Sequence, residues 1–256
     1  MNPPYQDEFL PLVDSTNRRA RLLAEQGAPH GSGVRADQQT AGRGRLNRSW
    51  HSPAGRNLYC SYVIRPRVAP EVYPRLTMVA GLAAAVLLER LAGDKIGLKW
   101  PNDLMMAGKK CGGILCESFV DHADNRHNFV IVGVGINLNL RLEELPEDLR
   151  SIATSLVIEG LQPVDPASLF AELRVELLNG IDLFETRGFQ EVLTNWQRFD
   201  VLPGKRTSWV TQSGGIVSGV SLGPDEQGLL RIKDDHGIVH TVISGDVALA
   251  RFDEEK

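Results

Sequence analysis

The chain has too little cysteine to be held together by it: Cys60, Cys111 and Cys116 are the only three in 256 residues. Three make no disulfide framework, and none stands at the CxxC spacing of a zinc site. Cys111 and Cys116 are five apart, on opposite faces of a regular strand, and read as small packing residues. Long apolar runs are also missing. The longest, Met78 to Leu88, falls short of the ~20 residues of a membrane span. Glu89 and Arg90 follow it directly, so it reads as a core helix. Met1 to Leu12 contains Pro3, Pro4, Asp7, Glu8 and Pro11, with neither the basic start nor the apolar run of a secretory signal. A cytoplasmic protein without a membrane contact is expected. Positive charge is not in excess either, since 28 Lys and Arg stand against 32 Asp and Glu, a net −4. No overall field holds the chain on nucleic acid, and any phosphate binding must be local.

What is present is an ordinary globular composition, 42% hydrophobic and 23% charged, long enough for one sizeable core and a small satellite domain. Asp14-Ser15-Thr16-Asn17 supplies N-caps for a helix over Arg18 to Gln26 that Gly27 stops. Strands are expected over Ser32–Gln38 and Asn57–Ile64, and a helix over Leu76–Leu91. A strand over Ile96–Trp100 halts at Pro101. Asp103–Met106 and Cys111–Phe119 flank a turn at Ala107-Gly108-Lys109-Lys110, and Phe129–Leu138 adds a strand. Helical periodicity returns over Ser168–Phe184 and Phe189–Phe199. From Leu202-Pro203-Gly204 onward, short β-prone segments between glycine turns suggest a small barrel. Ser208–Thr211, Gly215–Ser221 and Val239–Ile243 are examples. The boundary is placed near Val201, giving domains 1–200 and 201–256. The acidic run Glu143 to Asp148 reads as a solvated loop.

Three segments carry chemistry. Gln39-Thr40-Ala41-Gly42-Arg43-Gly44-Arg45, extended by Arg48 and Trp50, lies in a stretch with four arginines against one acid, Asp37. Glycines let backbone N–H groups approach an anion, and guanidinium forks match phosphate or carboxylate oxygens. The same composition also suits a flexible basic surface loop. Lys99-Trp100-Pro101-Asn102-Asp103 ends a strand on a fixed turn that either projects polar groups into a site or only caps itself. Lys109 and Lys110 follow, as ligand-facing groups or as solvated hairpin charges. Gly133-Val134-Gly135-Ile136-Asn137 lacks the third glycine and helix of a dinucleotide fold. Glycines within a strand point instead to a close approach by ligand or backbone, with Asn137 available to a base edge.

In this order and spacing, Asp14 to Asn17, Gln39 to Arg45, Lys99 to Asp103, Lys110 to Leu115 and Gly133 to Asn137 closely resemble the motifs of biotin protein ligases. The resemblance runs from about Leu12 to Arg251. It implies an α+β fold, a mixed β-sheet flanked by helices and followed by a small SH3-like barrel. It also implies an ATP- and Mg²⁺-dependent enzyme that makes biotinyl-5′-AMP with release of pyrophosphate. The biotin then passes to a lysine of the biotin carboxyl carrier protein of acetyl-CoA carboxylase or a related carboxylase.

By the same resemblance, Ser15, Thr16, Asn17, Gln39, Gly42, Arg43, Lys110, Gly112, Gly113 and Gly133 surround biotin. Arg43, Arg45, Arg48, Trp50, Asn102, Lys110, Gly135 and Asn137 face ATP or the adenylate. Lys110, Arg43, Arg45 and Asp103 are the catalytic candidates, Asp103 as orienter or base for the acceptor lysine, and no metal ligand is assigned. The Gly42 to Arg48 loop is expected to fold over its ligand. Arg251 stands about one position later than the family's phosphate-contacting arginine and is left out of the site. A thiol acyltransferase using Cys111 is the alternative enzyme class. Only thirteen residues precede Asp14, too few for a helix-turn-helix, so direct DNA binding is not expected; monomer and homodimer both stay open.

Overall fold

A computed structural model describes residues 5–121, 127–210, 216–242 and 247–249. Arg251, Thr211, Gly215 and Ile243 lie outside the described residues. Seven strands form the main sheet: β1 (Asp7–Val13), β2 (Gly33–Gln39), β3 (Leu58–Ile64), β4 (Ile96–Lys99), β5 (Asp103–Met106), β6 (Lys109–Phe119) and β7 (Phe129–Ile136). Their order is β1-β2-β3-β7-β6-β5-β4, with β1 and β2 parallel and every other pair antiparallel. The mixed sheet flanked by helices is the expected class.

Strand β1 is a main-sheet element the sequence did not suggest, because Pro11 and the adjacent acids Asp7 and Glu8 hide it. Proline is tolerated on an edge strand, where a missing N–H leaves no ladder position empty. Here β1 pairs only with β2 and stays half exposed.

The two faces of the sheet are built differently. On one, α2 (Leu76–Ala92), α3 (Pro166–Arg187) and α4 (Phe189–Gln197) pack over Leu58, Cys60, Tyr62, Ile64, Val130, Val132 and Val134. The run 70–95 is long and apolar enough to cross a membrane by length, yet most of it is buried in this core. On the other face, α1 (Thr16–Glu25) covers Val34, Val63, Phe129 and Ile131 with Ala20, Leu23 and Ala24. Further along the same face the apolar residues give way to Ser61, Gly133, Gly135 and Gly113, which α1 meets only with its first residues, Thr16 and Asn17. That bare half of the sheet floors the site.

The second sheet begins at Arg206 and holds β8 (Arg206–Val210), β9 (Ile216–Pro224), β10 (Leu230–Asp234), β11 (Val239–Val242) and β12 (Val247–Leu249). All its pairs are antiparallel, in the order β11-β10-β9-β8-β12, compatible with an SH3-like barrel. It shares one apolar cluster with the main core through Trp209, Leu230, Ile232 and Val242. Trp100 joins the two sheets, its indole N–H donating to Gly228 O at 2.9 Å.

Candidate active site

One extra residue in β6 decides where the site lysine points. The β5–β6 ladder shifts register between Leu104 and Met105, pairing Leu104 with Gly112 but Met105 with Lys110, so Cys111 is bulged out. A bulge reverses the alternation of side chains beyond it. Cys111 therefore turns into the core, with Ile114 and Cys116, and Lys110 turns to the bare face. Two expectations are corrected by this. Cys111 and Cys116 share a face despite their odd spacing, and Lys109 and Lys110 belong to β6 rather than to the hairpin turn. The turn is only Ala107-Gly108, with φ of 49° and 76°.

Lys110 Nζ donates to Asp103 Oδ1 at 2.5 Å, while Lys99 Nζ stands 3.9 Å from Asp103 Oδ2. The Lys110 ammonium also lies 5.4 Å from the centre of the Trp50 ring. Trp50 lies across Gly135 and Gly113 because those positions are empty: a Cβ on Gly135 would stand 2.8 Å from the indole, and one on Gly113 3.3 Å from Lys110 Cε. The Trp50 Nε1–H is buried without an acceptor among the described residues. Such a donor costs ~1–3 kcal/mol unless something pairs with it.

At the other end, Ser15, Thr16 and Asn17 are buried where α1 starts. Ser15 occupies the N-cap position without a side-chain cap bond. Thr16 N and Oγ1 both donate to Gln39 Oε1, at 2.9 and 3.2 Å, and Gln39 Nε2 donates to Ser52 Oγ at 3.1 Å. Gly133 yields its place to Asn17, whose Oδ1 would lie 2.1 Å from a Cβ there.

The arginine loop roofs this floor as a small hairpin. Arg43 bridges to Ser49, Gly44 N donates to Arg48 O at 2.7 Å, and Trp50 N donates to Gly42 O at 2.9 Å. Leu46 at its tip takes the left-handed conformation, φ 54°. Arg45 Nη1 donates to Asn102 Oδ1 at 3.2 Å, and Asn102 Nδ2 donates to Ile114 O at 2.9 Å, so Asn102 links loop and sheet rather than capping a turn.

A cavity of about 250 Å³ lies between floor and roof. Its walls bring together Ser15, Thr16, Asn17, Gln39, Arg43, Arg45, Arg48, Trp50, Asn102, Asp103, Lys110, Gly113, Gly133, Gly135 and Asn137. Two expected residues stand behind the wall. Gly112 faces the core, where a Cβ would meet Leu104 at 2.7 Å, and Gly42 closes the base of the hairpin, where a Cβ would stand 2.7 Å from Ser52 Oγ and Trp50 O. Asn137 lines the cavity but spends Nδ2 on Thr154 O at 3.0 Å.

The sequence reading missed the third wall. Leu145, Leu149, Ile152 and Ala153 also line the cavity, so the run Glu143 to Asp148, read as a solvated loop, contributes Leu145 and the residues just after it contribute the rest. It is zipped to β6 by Lys110 N donating to Ile152 O and Thr154 N donating to Lys110 O, both at 2.9 Å. The spacing Leu142, Leu145, Leu149, Ile152 was the available signal, masked by the acids between. His51 on the cavity wall, and Ser61 and Glu117 beside it, were also passed over.

The three thiols supply no nucleophile. Burial pushes Cys60, Cys111 and Cys116 each up to about 12, and a thiol rather than a thiolate is inert.

A floor of glycines, one end lined by hydroxyls and amides, an ammonium midway and arginines overhead fit an elongated ligand with an anionic centre. These features define an enzyme of the carboxylate-activating ligase class on an α+β scaffold. The family model described as the biotin/lipoate A/B protein ligase family matches residues 9–137. The "Bifunctional ligase/repressor BirA" of Bacillus spizizenii is 34% identical over 245 residues, 96% of this chain and 73% of that protein. The "Biotin--[acetyl-CoA-carboxylase] ligase" of Mycobacterium tuberculosis is 31% identical over 251 residues, 96% and 90% of the two chains. The biotin protein ligase from Aquifex aeolicus, solved in complex with biotin and ATP, superposes with a TM-score of 0.79 at 29% identity, covering 96% of this chain and 99% of its own. The chain belongs to the biotin/lipoate A/B protein ligase family, on its biotin protein ligase branch.

Proposed function

We infer that this protein joins biotin to ATP as biotinyl-5′-AMP and passes the biotin to a lysine of a carboxyl-carrier domain of a biotin-dependent carboxylase. The observation that carries the reading is the placement of Lys110 between the polar pocket at the start of α1 and the arginine loop. The biotin carboxylate attacks the α-phosphorus of ATP; an O–P bond forms, the bond to the β-phosphate oxygen breaks, and pyrophosphate leaves. Two anions must meet, and fixed cations already oriented toward them lower that repulsion. Lys110 and Arg43 serve the reacting centre, and Arg45 and Arg48 the phosphates.

Ser15, Thr16, Asn17 and Gln39 hold the ureido head, with Gly113 and Gly133 leaving space above the sheet. Trp50 and Asn137 flank adenine, and the acceptorless Trp50 Nε1–H gains a partner there. In the second step the acceptor amine attacks the anhydride carbonyl and AMP leaves. Asp103, held between Lys99 and Lys110, orients that amine and receives its proton once Lys110 turns to the phosphate.

Magnesium would be held by the nucleotide's phosphates, where it would offset charge at the reacting centre. No group of three or more His, Cys, Asp or Glu side chains among the described residues could cage a metal, and Asp103 is the one carboxylate on the cavity wall. That donor set fits an ion carried mainly by triphosphate oxygens and water. We assign this chemistry to residues 1–200, with 201–256 as an accessory barrel. Incubation with biotin, ATP, Mg²⁺ and a carrier domain should release pyrophosphate and add one biotin mass to the carrier. Pyrophosphate release that does not depend on biotin would refute the reading.

A further inference from the structure

Glu117 is a carboxylate that none of the recognised motifs contains, yet it ties two of them together. It stands on β6 two positions beyond Leu115, on the bare face of the sheet. Its Oε2 accepts from Asn17 Nδ2 at 2.7 Å, and both of its oxygens accept from Arg43 Nη2 at 3.0 Å. Asn17 is buried, and its orientation is fixed from both ends. Its amide nitrogen faces the carboxylate, and its Oδ1 lies 2.6 Å from Ser61 Oγ.

From Ser61 the contacts continue. Ser61 Oγ lies 2.8 Å from Thr16 Oγ1, Thr16 donates to Gln39 Oε1, Gln39 Nε2 donates to Ser52 Oγ, and Ser52 Oγ donates to Trp50 O at 3.0 Å. Trp50 ends the arginine loop and Arg43 begins it. The path that leaves Glu117 through Asn17 therefore returns to Glu117 through Arg43, closing a ring around the pocket at the start of α1.

A carboxylate closes that ring with both oxygens and a charge facing Arg43. It is acceptor-only, with room for about four donors, so an amide and a guanidinium can share it. Glutamine with its carbonyl oxygen at the Oε2 position still accepts from Asn17, but it turns an NH₂ toward Arg43 in place of Oε1 and brings no charge to the guanidinium. We propose that Glu117 is a positioning residue that latches the 42–50 loop, through Arg43, to the side chains at the start of α1, so that loop and pocket hold their shape as one unit. What the latch retains rests on the biotin ligase reading; the latch itself does not.

The test compares Glu117→Gln and Glu117→Ala with the unsubstituted protein. Amide hydrogen exchange is measured first without ligand. The N–H groups of Gly44 and Trp50, which close the loop hairpin, should exchange about three- to fivefold faster in Glu117→Gln, the scale of one half-exposed ion pair. Exchange in α2 should not change. In an Arg43→Gln background the same substitution should add nothing. With biotin and ATP, preformed adenylate should leave both variants faster. Biotin affinity should fall clearly only in Glu117→Ala, which leaves Asn17 Nδ2 with just its 3.3 Å bond to Leu115 O.

Unchanged exchange at Gly44 and Trp50 in both variants overturns the proposal. So does an undiminished effect of Glu117→Gln in the Arg43→Gln background. Faster loop exchange in a protein that makes no adenylate upholds the latch and refutes the ligase reading instead.

Discussion

Replacing Lys110 by alanine should slow adenylate formation by ~100–1000-fold, the scale for losing one oriented electrostatic contact. Two parts of that loss can be separated. A unit charge about 4 Å from the charge developing at the carboxylate and α-phosphate is worth ~4 kcal/mol at an effective dielectric of ~20. That dielectric suits a side chain 34% exposed. Removal of Lys110 also leaves Asp103 with only Lys99, 3.9 Å away, so a poorly compensated carboxylate faces two anionic substrates. Adding Asp103→Asn should therefore restore part of the rate, about tenfold, without restoring the contact itself. Arg45 acts at a different stage, because its hold on Asn102 is a loop-to-sheet contact. Loss of one charged hydrogen bond at a part-exposed site is worth ~1.5 kcal/mol, or about a tenfold faster release of preformed adenylate. Single-turnover pyrophosphate formation and the adenylate dissociation rate, read for each variant, distinguish the two. Equal slowing of chemistry by Lys110→Ala and Arg45→Ala, with no change in dissociation, would refute this division of labour.

Gly133→Ala puts a methyl 2.1 Å from Asn17 Oδ1, so biotin affinity by calorimetry should fall at least ~10-fold with ~1–3 kcal/mol of stability; unchanged binding would show that Asn17 is not held for the ligand. Cys111→Ser should keep ligase activity and yield no acyl-enzyme by mass spectrometry, since burial holds that thiol at about 12. Asp200, between α4 and the second sheet, has a buried Oδ2 with no partner among the described residues, and burial pushes its carboxyl up to about 6. A carboxyl raised in the folded state stabilises while protonated. Its contribution is whole below the unfolded value near 4, and it is lost as pH rises to about 6. Asp200→Asn should thus melt higher than the unsubstituted protein at pH 8 and equal to it below pH 4, and a lower melting temperature at pH 8 would contradict this.

Much of the site was legible because its residues are chemically unusual for their surroundings: arginines in an acidic chain, glycines inside a strand, a lysine-rich hairpin. The glycines were read as a close approach by ligand or backbone, and the structure adds a specific cause, since Gly133 makes room for Asn17 and Gly135 for Trp50. What could not be read depends on pairing. β1 hid behind Pro11 because an edge strand tolerates what an interior one does not. Glu117 and Ser61 look like ordinary strand residues until the face they occupy is known. The apolar wall of Leu145, Leu149 and Ile152 was concealed by the acids that share its turns.

The bulge at Cys111 shows why alternation alone could not settle the site. Counted outward from Gly113 along a regular strand, Cys111 would enter the cavity, and Lys110 and Gly112 would face the core. On that count a thiol lines the cavity, which is the geometry an acyltransferase requires. One unpaired residue reverses the assignment of Lys110 and Cys111 and leaves that of Gly112 unchanged, because Gly112 lies on the regular side of the bulge. A register shift of a single residue thus puts an ammonium and not a thiol at that place on the cavity wall. It is visible only in how β6 pairs with β5.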